Sequence, residues 1–139
     1  MKKVIVIDGQ GGKMGKAIVE ELKKNVTGIE IYGIGTNSLA TSAMLKAGAH
    51  YGATGENPII VNSKDADIIV GPLGMVIANS LLGEITPAMA QAVGFCRAVK
   101  VLIPVNHCHC NNVVAGVQDV PLGELIRLAV KQVALNIED

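Results

Sequence analysis

Val4, Ile5, Val6 and Ile7 place four β-branched residues in a row, and glycines at 9, 11, 12 and 15 follow almost at once. Successive strand residues point to opposite faces, so a run that is apolar at every position belongs to a strand buried on both sides. Beyond the glycines, Met14, Ile18 and Leu22 recur every four residues, which is a helical period. Strand, glycine-rich turn and helix together are the opening of a nucleotide-binding α/β domain.

The spacing has a chemical reading. Gly9 permits a tight turn out of the strand, Gly11 or Gly12 lets backbone approach a pyrophosphate, and Gly15 lets the helix pack closely on the sheet. Free N–H groups at the helix start, with the positive end of its dipole, suit a bound phosphate. The segment reads as Gly-x-x-Gly-x-x-Gly, or as Gly-x-Gly with the third glycine one place late. A P-loop is the nearest rival, and Gly15-Lys16 fits its end. Gln10 stands where its first glycine is needed, however, and Ala17 where its magnesium-binding hydroxyl is needed, which excludes it. The competing structural reading is a plain β-turn-α corner that binds nothing.

The 139 residues make one domain, residues 1–139, and half of them are hydrophobic. With 2% aromatic residues and no Trp, the core is built from Val, Ile, Leu and Ala. A net charge of zero offers no bulk attraction to nucleic acid or to an anionic membrane. The apolar run after Lys2 and Lys3 is too short for a signal peptide. The longest uncharged stretch, residues 68–83, is broken by Gly71, Pro72 and Gly74 and does not read as membrane-spanning. Three clustered cysteines make no disulfide framework, so a cytoplasmic protein is expected.

Along the chain, helices are expected over residues 13–24, 39–47, 75–82, 87–96 and 122–136, with a brief helical turn at 62–65. Strands are expected over 29–34, 67–71 and 100–105, with a sixth at 113–117. Residues 50–53 and 58–61 compete to be the third strand. Thr86-Pro87 is a helix N-cap and first-turn pair. The alternation predicts a three-layer α/β domain, a mainly parallel sheet of five or six strands with helices on both faces. In such sheets a ligand lies outside the carboxyl ends of the strands. The loops there are residues 9–15, 35–38, 53–57, 71–75 and 106–112.

The expected cofactor-binding residues are Asp8, Gly9, Gln10, Gly11, Gly12, Lys13, Met14 and Gly15, then Thr36, Asn37 and Ser38, and Gly71, Pro72 and Asn106. An NAD site usually has Asp or Glu at the end of its second strand to hold ribose hydroxyls. Thr36, Asn37 and Ser38 fill that place, so nothing local repels a 2′-phosphate and NADP is favoured over NAD. Asn37 or Ser38 is equally suited to cap the following helix. Asp8 is out of pattern, because a carboxylate sits poorly beside pyrophosphate.

His107, Cys108, His109 and Cys110 form the chain's most unusual stretch, with ligand types suited to zinc or another transition metal. In a strand the histidines and cysteines would face opposite ways, whereas in a loop they can converge. His50 and Cys96 could complete a site if the fold brings them near. Reduced thiols and loop imidazoles without metal, or a His acting as general acid or base beside a cofactor, are the alternatives.

From residue 68 to 118 the only charged side chains are Glu84, Arg97 and Lys100. The last helix is apolar around most of its circumference, with a narrow polar stripe of Glu124, Arg127 and Lys131. One sheet face cannot hide so much apolar surface, and a homodimer or larger homo-oligomer is expected.

The segment Gly9-Gln10-Gly11-Gly12-Lys13-Met14-Gly15-Lys16 resembles the fingerprint of the dihydrodipicolinate reductases, roughly Gly-x-Gly-Gly-Arg-Met-Gly-Arg. That resemblance implies nicotinamide dinucleotide binding through Gly9, Gly12 and Gly15. It covers only this turn and helix start; the reductases' substrate domain and His-rich catalytic motif have no counterpart. The whole chain is similar to a small bacterial family catalogued as a domain of unknown function. The pieces that carry this are Val6-Ile7-Asp8-Gly9-Gln10-Gly11-Gly12, Gly35-Thr36-Asn37, Met44-Leu45-Lys46-Ala47-Gly48-Ala49, Gly83-Glu84-Ile85-Thr86-Pro87-Ala88-Met89-Ala90 and Ile103-Pro104-Val105-Asn106. That similarity implies a Rossmann-like fold. The family has a shorter Cys-Asn segment where this chain has residues 107–112, which makes the extra His and Cys local to this chain.

The sequence thus points to a Rossmann-like domain binding a phosphate-bearing nucleotide, NADP or NAD; as an enzyme it would be a small NADP-type oxidoreductase. A non-catalytic nucleotide-binding module or sensor, and a metal-binding protein using residues 107–110, are the alternatives. Spacing alone assembles no set of nucleophile, base and orienting group.

Overall fold

The chain begins in the middle of its sheet. In the computed structural model, which describes residues 1–104, 112–116 and 119–138, the strands are β1 (Lys2–Asp8), β2 (Ile29–Gly35), β3 (Tyr51–Thr54), β4 (Ile68–Pro72) and β5 (Val99–Ile103). All pairings are parallel and the order is β3-β2-β1-β4-β5. β1 and β2 pair along their whole length, from Lys2 opposite Ile29 to Asp8 opposite Gly35. After β3 the chain crosses back to lay β4 on the free side of β1, pairing Val4 with Ile68 and Val6 with Val70. This is the Rossmann order, and its reversal point lies between β1 and β4, where such sheets leave a crevice.

The helices are α1 (Lys13–Asn25), α2 (Ser38–Ala47), α3 (Glu56–Ser63), α4 (Pro87–Phe95) and α5 (Leu122–Ile137). Alternation along β1 explains its unbroken apolar run. Val4 and Val6 join Ile18 and Leu22 of α1, Met44 of α2 and Val130 and Val133 of α5 in one buried layer. Ile5 and Ile7 face the other way, into a layer with Ile59 of α3, Met89 and Val93 of α4, and Met75 and Ile85. The three-layer α/β architecture with helices on both faces is therefore the one the alternation predicts.

Four expected elements differ. Residues 58–61 are not a strand but the middle of α3, and the turn expected at 62–65 is the end of the same helix. An apolar run of four cannot be assigned by periodicity, and Pro58 is tolerated because it falls in the first turn, where its missing N–H has no partner to lose. The helix expected over 75–82 is a short 3-10 turn, Leu73–Val76, followed by a series of turns. Asn79, Leu81 and Leu82 there have φ of 67°, 56° and 56°, which ends any right-handed helix. The sixth strand is absent where it can be seen: Asn112, Val113 and Val114 carry no regular structure and Ala115-Gly116 is a turn, so the described sheet has five strands. Among the described residues no helix is long and apolar enough to cross a membrane.

Candidate functional site

β1 ends at Asp8, and the chain turns at once. The Gly12 amide donates to the Gly9 carbonyl at 3.0 Å, Gln10 has φ of 49°, and Gly12, with φ of 80°, begins α1. Three of the four glycines are dictated by packing. A Cβ on Gly9 would lie 2.6 Å from Thr36 Oγ1, one on Gly12 would lie 2.8 Å from the Ala40 Cα, and one on Gly15 would lie 2.8 Å from both Asp8 Cβ and Met44 Sδ. Gly11 differs: its φ is not positive, and a Cβ there meets nothing within 4 Å. The fold has no use for a glycine at that position.

No side chain caps α1 at Gly12. Asp8 reaches over from the end of β1 instead, and its Oδ2 accepts the Gly15 amide at 2.6 Å. The amides of Lys13 and Met14, at the first two helical positions, donate to nothing among the described residues. Two aligned donors at the positive end of α1 are what an anion binds.

Asp8 is buried, only 6% exposed. Burial pushes its carboxyl above the ordinary aspartate value, the Gly15 and Gly9 amides pull it back, and the charge of Glu84 pushes it up again. Ionising Asp8 thus costs more in the folded chain than in the unfolded one. Stability is expected to fall as pH rises from the ordinary value of 3.8 through the raised folded pKa. Asp8→Asn keeps an acceptor for Gly15 and removes the charge. Its melting temperature is expected to exceed that of wild type at pH 7, with the gap closing as pH drops below 3.8. Parallel melting curves from pH 3 to pH 8 check this; a variant less stable than wild type at pH 7 contradicts it.

The end of β2 closes the other side of the crevice. Asn37 is the N-cap of α2, its Oδ1 accepting from the Ala40 amide at 2.9 Å, while its Nδ2 donates to the Gln10 carbonyl at 3.0 Å. One side chain therefore caps a helix and ties β2 to the glycine loop. The Thr36 amide donates to the Asp8 carbonyl at 2.9 Å. Ser38, the first residue of α2, is exposed.

Glu84 is the residue that sequence reasoning missed. Its Oε1 accepts from the Gln10 amide at 2.9 Å, the Thr36 hydroxyl at 2.5 Å and Asn37 Nδ2 at 2.9 Å. Partial burial raises its carboxyl pKa, and the three hydrogen bonds together outweigh that, so the net shift is below the ordinary glutamate value. A carboxylate thus does stand at the end of β2, supplied from between β4 and α4. The one signal for it in the sequence is that Glu84 is the only charge between Asp67 and Arg97. The loop that carries it is strained: Leu81 and Leu82 both sit in the left-handed region, at about 1–2 kcal/mol each for a residue with a Cβ.

Gly71 and Pro72 end β4 at the reversal point, and both are buried. A Cβ on Gly71 would lie 2.6 Å from the Ile7 carbonyl oxygen, so this glycine serves the close approach of β4 to β1. Asn106, His107, Cys108, His109 and Cys110 lie outside the described residues. His50 and Cys96 precede β3 and β5, at the amino edge of the sheet, and each is engaged locally. The His50 ring Nδ1 accepts from the Ile31 amide at 2.9 Å, and Cys96 Sγ donates to the Val93 carbonyl at 3.1 Å. Among the described residues no three of His, Cys, Asp and Glu are grouped to hold a metal.

The chain is similar to two solved structures. One is a dodecameric FMN-dependent Ubix-like decarboxylase from Escherichia coli O157:H7, 15% identical, with a TM-score of 0.49 over 95% of this chain and 76% of that one. The other is an arsenate reductase in the phosphate binding state, 16% identical, with a TM-score of 0.45 over 99% of this chain and 96% of that one. No curated protein matches the chain. The sequence model of one family, described as a domain of unknown function (DUF3842), matches residues 3–138, and the chain belongs to that family.

Proposed function

We propose that this protein binds a phosphate-bearing nucleotide, a nicotinamide dinucleotide, at the loop of residues 9–15. The observation that carries the reading is Gly11. It is a glycine that neither packing nor backbone conformation requires, facing open space beside the unengaged amides of Lys13 and Met14. A phosphate approaching backbone at that point accounts for it. The pyrophosphate lies on the start of α1 and reaches the donors of Gln10, Thr36 and Asn37, the adenosine ribose continues toward Ser38, and Gly71 and Pro72 end β4 at the crevice. NADP and NAD differ in what they meet at the end of β2. The Glu84 carboxylate bonded to Thr36 and Asn37 repels a 2′-phosphate as long as it stays there.

A thermal-shift panel of NADP, NAD, ATP and coenzyme A tests the reading. Ligand at a hundredfold its dissociation constant adds ~2.7 kcal/mol, a shift of several degrees for a domain of this size. A selective dinucleotide shift supports it, and no shift with any nucleotide defeats it. Turnover of the bound cofactor with a substrate then separates an oxidoreductase from a module that only binds.

The second part of the proposal is self-association. Leu128 and Leu135 on α5 are about half exposed, and Val99 and Leu102 on β5, an edge strand among the described residues, are also exposed. Sedimentation at micromolar concentration is expected to give a dimer or larger; a monomer contradicts it.

A further inference from the structure

The three donors that meet at Glu84 Oε1 come from three separate places: the Gln10 amide in the glycine loop, the Thr36 hydroxyl just past β2, and the Asn37 amide at the start of α2. Such a convergence on one oxygen is the cradle an anionic ligand oxygen requires. Glu84 Oε2 accepts nothing among the described residues, so the loop presents one charged oxygen to the cradle and little else. Leu81 of the same loop lies over Gly9, its Cδ1 3.0 Å from where a Cβ would stand. Residues 77–85 thus cover the mouth of the crevice.

The loop is built as a unit. The Asn79 amide donates to the Ile85 carbonyl at 2.7 Å, the Ile85 amide to the Ser80 carbonyl at 3.1 Å, and the Gly83 amide to the carbonyls of Asn79 and Ser80 at 3.2 Å. Buried Met75 and Ile85 hold its two ends in the core. Among the described residues, its hydrogen bonds to the glycine loop and to the end of β2 are all made by Glu84. To leave the crevice it gives up those three bonds and the packing of Leu81 over Gly9, while keeping its own hydrogen bonds.

We propose that Glu84 is an internal stand-in for the ligand's anion, so that the loop of residues 77–85 closes the site until a phosphate takes over the donors of Gln10, Thr36 and Asn37. This rests on the nucleotide reading above. Glu84 and a phosphate cannot share one cradle, since both are acceptors and both are negative; Asp8 adds a further negative charge beside them. Binding is therefore an exchange, and the affinity measured for wild type is reduced by the fraction of molecules in which the loop is closed.

Calorimetric titration of wild type, Glu84→Ala and Glu84→Gln with ADP and with inorganic phosphate tests this, each variant first checked for folding by its melting curve. Glu84→Ala is expected to bind both probes at least tenfold more tightly than wild type. Glu84→Gln keeps the shape and the acceptor but loses the charge, and is expected to fall between; it carries the test alone if the alanine variant does not fold. Wild type that binds ADP while neither variant binds more tightly overturns the closed-loop proposal and leaves the nucleotide reading standing. A Glu84→Ala variant that loses ADP but not phosphate also overturns it, and assigns Glu84 to the ribose hydroxyls. Failure of all three proteins to bind either probe overturns both.

Discussion

Gly35→Ala is expected to lower the stability of the folded chain by ~3 kcal/mol, the upper part of the range for overpacking a filled site. Gly35 ends β2, and α2 starts three residues later, so the two elements meet at a sharp corner. A Cβ there would lie 2.5 Å from the Thr41 amide nitrogen, 2.5 Å from Thr41 Oγ1 and 2.7 Å from the Asn37 carbonyl oxygen. Two of those atoms are backbone. The third is fixed by its own bonds, since Thr41 Oγ1 accepts from the Gly35 amide at 3.1 Å and lies 3.1 Å from the Ala53 carbonyl and 2.7 Å from Thr54 Oγ1. Nothing nearby can yield without breaking the link among β2, α2 and β3. Domains of this size lose about 3 °C per kcal/mol, so the melting temperature is expected to fall by roughly 10 °C. Gly94→Ala is the control. Gly94 lies inside α4 with nothing within 4 Å of a Cβ, and the same change there is expected to stabilise by about 0.5–1 kcal/mol. Denaturant titrations of both variants check the signs; equal effects contradict the account of the corner.

Gly11→Val is expected to weaken nucleotide binding by about a hundredfold, ~2.7 kcal/mol, while changing stability by under ~0.5 kcal/mol. Gly11 is exposed, its φ is not positive, and a Cβ meets nothing within 4 Å. The valine methyls therefore disturb only what lies outside the loop. Calorimetry on wild type and variant, with melting curves on both, separates the two quantities. A variant that is folded and binds as well as wild type removes Gly11 from the site. A variant that is destabilised shows that the glycine serves the fold.

The sequence carried the parts of the fold whose signals are local. The run at residues 4–7, the period of Met14, Ile18 and Leu22, the Thr86-Pro87 cap and the Gly48 stop each sit within one element, and α1, α4 and the five strands β1 to β5 lie within a few residues of expectation. Thr86 Oγ1 accepts from the Met89 amide at 3.2 Å, as its position required. Residues 58–61 were ambiguous because four apolar residues fit a strand or a helix equally well. Residues 75–82 have helical spacing, yet the loop is decided by hydrogen bonds between Asn79, Ser80 and Ile85, and by the attraction of Glu84 to donors far away in sequence. Glu84 is 74 positions from Gln10 and 48 from Thr36, beyond any spacing rule. The preference for NADP rested on the residues that follow β2 in sequence, and so could not include a carboxylate delivered from after β4. Asp8 is out of pattern in the sequence because its partner, the Gly15 amide, is seven residues on and is brought to it only when the turn is folded.

A nucleotide phosphate bound at the start of α1 perturbs the backbone amides that meet it. An amide-resolved NMR titration of the uniformly 15N-labelled protein with NAD and NADP tests that binding most directly. Saturable shifts are expected at the amides of Gly11, Lys13 and Met14, with Gln10, Thr36, Asn37 and Glu84 moving in the same titration. Spectra that stay unchanged at millimolar ligand, or that shift only at surfaces away from residues 9–15, would contradict it.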